Sequence, residues 1–237
     1  MKAVLDLVRR VAPHEVPILL VGESGSGKTV LARILHSASK RSEGPFIVVD
    51  CLPLAGTHRG DDDVDVQGAE TVIARRTTEA SGGTLVLDEV SVLPRLLQAK
   101  VGQILERGCR EGRGVRIVAL SRTNLEAAVQ SGRFREELLR RINVVQIRVP
   151  AVRQRREDIL PLARAFLDSF ASKEGTVTPA LTPAAEAALL SYSWPGNVRE
   201  LRNAMQRAVV LSSQTVLDLE ALPQQVRTAF RGGSDLR

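Results

Sequence analysis

The sequence predicts an α/β fold with a parallel sheet, followed by a smaller, purely helical region. As far as residue 149, short apolar runs alternate with segments of helical periodicity, the pattern of a sheet covered by helices on both faces. One apolar run leads through a glycine-rich loop into a helix, as in a phosphate-binding unit. From Arg155 onward only helical patterns remain. We therefore predict an α/β domain over residues 1–152 and a helical domain with a short tail over residues 153–237.

The predicted elements follow one another in a regular order. An amphipathic helix opens the chain, with Val4, Leu5, Val8 and Val11 on its buried face. The predicted strands cover residues 16–21, 46–51, 84–87, 115–120 and 144–149. Between and after them, helical patterns cover residues 30–38, 69–80, 94–107, 133–141, 158–170, 182–191 and 197–211. We expect the strand at 46–51 to be buried, and segments 52–67 and 108–114 to be loops.

Composition limits the classes of function. The chain of 237 residues has 43% apolar and 3% aromatic residues, so its core must consist mostly of aliphatic side chains. No apolar run approaches the length of a membrane span and the N-terminus does not resemble a signal peptide, which predicts a cytoplasmic protein. Cys51 and Cys109 lack the spacing of a metal or redox site and are interpreted as small core residues. The net charge of +6 allows a nucleic-acid binder, but a solvated basic surface is favoured because no aromatic residues are interleaved.

The strongest motif is a complete G-x-x-x-x-G-K-[ST] phosphate loop. Its glycines allow successive N–H groups to turn toward a phosphate, and the N-terminus of the next helix adds the positive end of its dipole. The lysine would reach the β- and γ-phosphates of ATP, and the threonine hydroxyl would hold Mg²⁺. The predicted nucleotide-binding residues of this loop are Gly22, Glu23, Ser24, Gly25, Ser26, Gly27, Lys28 and Thr29.

A second motif follows the loop by about sixty residues. The apolar run from Thr84 to Leu87 ends in two carboxylates, Asp88 and Glu89. Alone this pattern is weak, because many strands end in acids, but within one α/β pattern it completes a nucleotide site. Asp88 would contact Mg²⁺, with Thr29, and Glu89 would polarise the attacking water.

Several sequence blocks, in the same order, resemble the central AAA+ domain of bacterial enhancer-binding proteins, the ATPases that remodel sigma-54 RNA polymerase. They are the phosphate loop, residues 82–89, residues 132–138 (Gly-Arg-Phe-Arg-Glu-Glu-Leu), residues 155–159 (Arg-Arg-Glu-Asp-Ile) and residues 194–203 (Trp-Pro-Gly-Asn-Val-Arg-Glu-Leu-Arg-Asn). The resemblance covers nearly the whole chain. It implies a P-loop AAA+ nucleotide domain with a C-terminal helical lid.

The resemblance also assigns roles to three arginines and implies an assembly. Members of the family work as rings, usually hexamers, with ATP at subunit interfaces, so a homo-oligomer or a co-assembly with related AAA+ subunits is expected. Arg135 and Arg141 match the arginines that reach the γ-phosphate of a neighbouring subunit. Arg199 matches the lid arginine that senses bound nucleotide.

One departure from the family concerns its contact loop. Sigma-54 activators carry Glu-Leu-Phe-Gly-His-Glu and Gly-Ala-Phe-Thr-Gly-Ala blocks before the Asp-Glu strand, and the second block forms the tip that touches the sigma factor. The segment from Leu52 to Glu79 contains neither block and instead holds the acidic cluster Asp61-Asp62-Asp63-Val64-Asp65. The cluster is interpreted as a solvated turn, since its spacing fits no calcium loop. We therefore expect the chain not to open sigma-54 promoters by the usual route.

Two further departures lie near the catalytic glutamate. The family's second strand usually ends in Asn-Cys, whereas this chain has Asp50-Cys51, and an acid cannot donate an amide N–H to Glu89. The family reads Ala-Thr-Asn after the third strand, whereas this chain has Arg122 in place of the asparagine. Asn124 would substitute only if the loop shifts. These changes leave nucleotide binding intact and put hydrolysis in question.

Two functions therefore remain open at this point. The first is an ATPase acting at subunit interfaces within a transcription regulator. The alternative is a degenerate nucleotide-gated interaction module that turns over slowly or not at all, with a direct nucleic-acid binder third. Because only residues 217–237 follow the lid pattern, we expect no DNA-binding module in this chain.

Overall fold

The computed structural model describes residues 1–55, 66–110, 114–211 and 215–234. Their contacts divide the chain into two compact units. The α/β unit comprises Lys2–Glu23 and Lys28–Val149. The helical unit comprises the described part of Pro150–Arg237 together with Met1 and the loop residues Ser24–Gly27.

The α/β unit alternates strands and helices, as the periodicity predicted. Its helices are α1 (Lys2–Val11), α2 (Lys28–Ser37), α3 (Val66–Glu79), α4 (Arg95–Arg110), α5 (Leu125–Gln130) and α6 (Glu136–Ile142). Its strands are β1 (Ile18–Val21), β2 (Phe46–Asp50), β3 (Thr84–Asp88), β4 (Arg116–Ser121) and β5 (Val145–Arg148).

The five strands form one parallel sheet in the order β2-β3-β4-β1-β5. Because all strands run the same way, their carboxyl ends share one edge, where ligands of open α/β sheets bind. Asp50 at the end of β2 is aligned with Asp88 at the end of β3. The predicted α/β fold with a parallel sheet is confirmed.

One strand differs from its prediction in burial. Every residue of β3 before Asp88 is buried, whereas in β2 only Val49 is buried and Val48 is 36% exposed. The reason is position, since β3 is flanked by two strands and β2 lies at the edge of the described sheet. The expectation of a buried second strand was therefore wrong.

The helices also differ from the sequence pattern in places. Helix α5 was not predicted, although Asn124 caps it by accepting hydrogen bonds from the N–H groups of Glu126 and Ala127. Helix α6 begins at Glu136 rather than at Arg133, because Gly132 adopts a positive φ of 71° and the following residues lead Phe134 into the core. Cys51 is fully buried, as predicted, and the side chain of Cys109 lies outside the described part.

The helical unit has its own core, built around a buried tryptophan. Its elements are α7 (Ile159–Glu174), β6 (Ala180–Leu181), α8 (Pro183–Ser191), α9 (Asn197–Leu211), β7 (Val216–Leu217) and α10 (Gln224–Ser234). Trp194 is fully buried, donates its indole N–H to the carbonyl of Leu189 at 2.9 Å, and meets the Tyr192 ring edge-on. Thr182 caps α8 as predicted, by accepting from the N–H of Ala185.

Two features of this unit contradict the expectation of helices followed by a short tail. Strands β6 and β7 pair in parallel, but with two residues each they are too short to show alternation in the sequence. Helix α10 packs against α8 and buries Val226 in the core of the unit, so this part of the chain is not a loose tail. Within the ranges described above, none of the helices has the length and hydrophobicity needed to cross a bilayer.

Candidate nucleotide-binding site

The phosphate loop joins β1 to α2 at the carboxyl edge of the sheet. Gly22 donates its N–H to the carbonyl of Ser121 at 3.0 Å, which anchors the start of the loop to the end of β4. Gly25 and Gly27 have φ angles of 73° and 105°, which favour glycine. Thr29 lies exposed in the first turn of α2.

Lys28, the first residue of α2, is the most constrained cation of the site. Its side chain is only 6% exposed, and its ammonium donates to the carbonyls of Gly22 at 2.8 Å and Glu23 at 3.2 Å. The same nitrogen lies 3.4 Å from a carboxylate oxygen of Glu89. Lys28 of the phosphate-loop motif therefore contacts Glu89, which follows the strand that ends in Asp88, and both side chains are nearly buried.

The two predicted carboxylates stand in different environments. Burial raises the pKa of the Asp88 carboxyl above its ordinary value of 3.8, and the negative charges of Glu89 and Asp50 raise it further, while Lys28 opposes the shift. Glu89 is 9% exposed and adopts the left-handed backbone conformation, with φ 57° and ψ 47°. A glutamate held in that region is an outlier of the kind that concentrates at functional sites.

Arg122, the residue that replaces the family's asparagine, contacts Glu89. Its main-chain N–H donates to Oε2 of Glu89 at 3.3 Å, and its Nε lies 3.7 Å from the same oxygen. The Glu89 carboxylate thus lies between Lys28 on one oxygen and Arg122 on the other.

Asp50, the other departure near Glu89, and Asn124, the candidate substitute for the asparagine, have local hydrogen-bonding roles. Asp50 is exposed, and its Oδ1 accepts from the N–H of Leu52 at 2.9 Å. Asn124 uses its Oδ1 to cap α5, accepting from two main-chain N–H groups at 2.8 and 3.3 Å. With its oxygen committed to the cap, Asn124 does not take the place of the missing asparagine in this structure.

Within the helical unit, three successive carbonyls of the phosphate loop accept hydrogen bonds from residues far along the chain. Asn197 Nδ2 donates to the carbonyl of Ser24 at 3.1 Å, and the N–H of Val198 donates to that of Gly25 at 3.0 Å. Arg155 Nη2 donates to the carbonyl of Ser26 at 2.7 Å. Together these contacts fix the main chain of the loop from Ser24 to Ser26.

Arg199 reaches the same segment with its side chain. Its Nη1 lies 3.1 Å from the hydroxyl oxygen of Ser24, to which it donates. Both residues line a cavity of about 410 Å³, which also has Asn203 and Arg207 in its wall. The predicted sensing arginine therefore contacts a predicted loop residue, next to a concave surface that carries Arg207 and Glu200.

The two arginines predicted to act on a neighbouring subunit lie at the two ends of α6. Arg135 occupies the N-cap position of the helix without a capping bond from its side chain, and it pairs with Glu137 at 3.5 Å. Arg141 donates to Glu106 on α4 at 3.0 Å. Among the described residues of this chain, neither arginine pairs with the phosphate loop or with Glu89.

Sequence reasoning did not assign roles to Asn197 and Arg155, although both stand in the blocks that carried the family resemblance. Asn197 is fully buried with φ 54°, and its Oδ1 accepts from the N–H of Val152 at 2.9 Å. Arg155 is 4% exposed, and burial lowers the pKa of its guanidinium. A Trp-Pro-Gly-Asn run predicts a tight turn, and that was the available signal for Asn197.

The residues present fit a magnesium nucleotide. The loop carries a buried hydroxyl, Ser26 Oγ, with no hydrogen-bond partner among the described residues, and a Cβ added at Gly27 would meet no atom within 4 Å. No group of three or more His, Cys, Asp or Glu side chains suited to a metal occurs in the described ranges. The acidic cluster at residues 61–65 lies outside the described residues.

Comparison with known proteins places this site in a family. The sigma-54 interaction domain model matches residues 1–148, and the AAA+ ATPase lid domain model matches residues 153–235. The chain is 39% identical to regulatory protein AtoC of Escherichia coli K12, over 95% of this chain and 52% of that protein. It is 41% identical to transcriptional regulatory protein FlbD of Caulobacter vibrioides, over 90% of this chain and 50% of that protein.

A solved structure supports the same assignment. NtrX from Brucella abortus in complex with ATP superposes with a TM-score of 0.81 at 33% identity, covering 95% of this chain and 55% of that chain. The chain spans about half the length of the curated relatives it matches. A phosphate loop, an Asp-Glu strand end and a Trp-Pro-Gly-Asn turn whose Trp194 and Asn197 are buried occur here in one polypeptide, and the chain belongs to the sigma-54 interaction domain family of AAA+ proteins.

Proposed function

We propose that this chain binds ATP with Mg²⁺ and hydrolyses it as the AAA+ ATPase domain of a bacterial transcription regulator in the cytoplasm. The observation that carries the proposal is the buried Lys28 ammonium, held by two loop carbonyls and by the carboxylate of Glu89. Retaining a desolvated lysine on a glycine-rich loop beside a carboxylate serves no core packing, whereas it suits phosphate binding. The domain division at residues 152 and 153 is part of the same proposal.

The residues of the site have distinct tasks in this proposal. Lys28 neutralises the transferring phosphoryl group, and the loop residues after Gly22, as far as Gly27, offer their N–H groups to the phosphates. Thr29 and Asp88 would hold Mg²⁺, which would neutralise phosphate charge. Glu89 accepts a hydrogen bond from the attacking water and orients it. Arg199 reports on bound nucleotide through the contact of its side chain with Ser24.

The proposal includes a ring in which a neighbouring subunit completes the site. Arg135 and Arg141 would stabilise charge on the γ-phosphate of an adjacent subunit, either of the same chain or of a related AAA+ protein. Arg135 and Arg141 lie near the two ends of one short helix, and their side chains are 36% and 40% exposed. Their ion pairs are with partly exposed acids, Glu137 and Glu106, and Arg141 also donates to the carbonyl of Gly102 at 3.4 Å. Such exposed pairs are weak enough to exchange for a phosphate of a neighbouring subunit.

We further propose that the chain does not open sigma-54 promoters by the usual route. The segment from Leu52 to Glu79 lacks both the Glu-Leu-Phe-Gly-His-Glu block and the Gly-Ala-Phe-Thr-Gly-Ala block of the activators. An apolar, aromatic tip and an acidic one cannot bind the same surface with similar affinity, because burying unpaired carboxylates is costly. The target of this segment would then be another component of the transcription machinery.

A nucleotide-gated module with little or no turnover is the second candidate. It is favoured by the pairing of Glu89 with Arg122 and by the bond between Asp50 and Leu52. In that case, nucleotide would bind through Lys28 and change the oligomeric state, while Glu89 would remain paired with Arg122.

ATP turnover per subunit, measured against protein concentration, separates the two candidates. For the ATPase, turnover rises with concentration and is lost in Glu89→Gln, while the matched control Glu43→Gln, at an exposed position in a turn, behaves as wild type. Binding of a fluorescent ATP analogue is followed in parallel and is expected to be lost in Lys28→Ala. Binding without turnover would refute the ATPase proposal and support the module.

Mixing of inactive subunits tests the arginines in trans. Arg141→Ala and Glu89→Gln are each expected to abolish turnover, and a mixture of the two should regain part of it, because some interfaces combine an intact Glu89 with an intact Arg141. The neighbouring Arg140, which is exposed and pairs with Glu136 on its own helix, supplies the control substitution Arg140→Ala. A mixture as inactive as its components would contradict the shared site.

The sigma-54 proposal has a direct test. Purified protein is supplied with sigma-54 RNA polymerase, a pre-melted promoter and ATP, and open complexes are counted. We expect none above the level without ATP, and robust ATP-dependent open complexes would overturn this part.

A further inference from the structure

The carboxylate of Glu89 is nearly buried and contacts two cations. Its side chain is 11% exposed, with Oε1 at 3.4 Å from Lys28 Nζ and Oε2 at 3.7 Å from Arg122 Nε. Oε2 also accepts the main-chain N–H of Arg122 at 3.3 Å. Both carboxylate oxygens of Glu89 therefore already contact a cation or an N–H group of the protein.

The main chain that carries Arg122 is fixed by a compact turn at the end of β4. The hydroxyl of Ser121 donates to the carbonyl of Thr123 at 2.8 Å and accepts the N–H of Thr123 at 3.1 Å. These two bonds bracket Arg122 and direct its N–H at Glu89. The Arg122 side chain is 51% exposed, and its Nε forms the ion pair with Glu89.

We propose that Arg122 is a positioning residue that restrains Glu89, and that its pair with Glu89 must open before Glu89 accepts a hydrogen bond from the attacking water. The inference rests on the proposed ATPase function and concerns its regulation. A neutral side chain at position 122 would leave Oε2 free to accept from water, because it would not compete for the carboxylate with a full charge.

The two cations on Glu89 do not act alike. Lys28 is the group assigned to phosphate, so nucleotide binding gives its ammonium a new partner. Arg122 is not expected to bind phosphate, so it remains paired with Glu89 when the Lys28 ammonium binds the nucleotide. The restraint therefore acts on the nucleotide-bound site, and its release is a point at which a partner protein or a neighbouring subunit can control hydrolysis.

The pair itself is tested without nucleotide, by a double-mutant cycle of Arg122→Ala and Glu89→Gln in urea unfolding. The unfolding is followed by far-UV circular dichroism, because the single tryptophan, Trp194, lies in the helical unit. We expect the coupling to change the unfolding equilibrium constant by about two- to fivefold, the range for a partly exposed ion pair. Arg9→Ala, which removes an exposed arginine paired with Asp6 on α1, should show no coupling to Glu89→Gln.

The restraint is tested by turnover. Arg122→Asn is expected to raise kcat by about two- to fivefold, with the dissociation constant for a fluorescent ATP analogue unchanged. Arg122→Lys, which keeps the charge, should stay near the wild type, and Arg9→Ala should match it. A merely structural role for Arg122 would lower kcat or weaken binding in Arg122→Asn.

The outcomes separate this inference from the proposed function. Absence of coupling in the cycle, or a kcat of Arg122→Asn at or below that of the wild type, would overturn the restraint. A protein that fails to bind the ATP analogue would instead overturn the proposed function, while the nucleotide-free cycle would still decide whether the pair exists.

Discussion

Replacement of Asn197 by alanine should destabilise the helical unit more than its single side-chain amide suggests. The side chain is fully buried, its Oδ1 accepts from the N–H of Val152 at 2.9 Å, and its Nδ2 donates to the carbonyl of Ser24 at 3.1 Å. A buried N–H left without a partner costs about 1–3 kcal/mol, and a lost hydrogen bond to a carbonyl about 0.5–1.5 kcal/mol. The expected loss in the free energy of unfolding is therefore about 1.5–4.5 kcal/mol.

The backbone of Asn197 supplies a second, separable contribution. Its φ of 54° lies in the left-handed region, which costs an alanine roughly 1–2 kcal/mol and a glycine almost nothing. Asn197→Gly should therefore lose the same hydrogen bonds but remain about 1 kcal/mol more stable than Asn197→Ala.

Urea unfolding followed by the fluorescence of Trp194 measures both effects, because that residue is fully buried in the core of the same unit. The control is Asn203→Ala, an exposed position on the same helix, which should change stability by no more than about 0.5 kcal/mol. A loss below 1 kcal/mol for Asn197→Ala would refute the hydrogen-bond argument. An Asn197→Gly variant less stable than Asn197→Ala would refute the backbone argument.

Two further predictions follow from the charges and the close contacts of the site. The pKa of Asp88 is raised in the folded state, so folding disfavours the charged carboxylate. The contribution of Asp88 to the free energy of unfolding therefore falls as the pH rises above 3.8, the ordinary pKa of an aspartate. Asp88→Asn should be more stable than the wild type at pH 7 without Mg²⁺, and the difference in stability should shrink as the pH falls toward 4. Thermal unfolding of both proteins across this pH range measures the difference. A difference that does not change with pH would contradict the raised pKa of Asp88. Gly25→Ala should lower the melting temperature more than Gly27→Ala, because its Cβ would lie 2.4 Å from the carbonyl oxygen of Gly196 whereas that of Gly27 meets nothing within 4 Å. Equal losses in thermal unfolding would mean that backbone strain alone is responsible.

Much of the fold follows from local patterns. The runs before the phosphate loop and before Asp88 are strands because apolar residues bounded by turn residues have few other ways to be buried. Parallel strands then bring the ends of β1, β3 and β4 to one edge, so the meeting of Lys28 with Glu89 could be anticipated from motif order. Helix α10 and the pair of short strands could not, since two-residue strands carry no periodicity.

The sequence by itself determined the α/β alternation, the phosphate loop and the strand that ends in Asp88 and Glu89, because each of these depends on residues close together in the chain. Only the tertiary structure decided which distant groups hold those residues in place. Arg122 lies 33 positions from Glu89, and Asn197 lies 173 positions from Ser24. Contacts at such separations depend on how strands and helices pack, and a hydrogen bond or ion pair of a few ångströms leaves no periodic trace in the sequence.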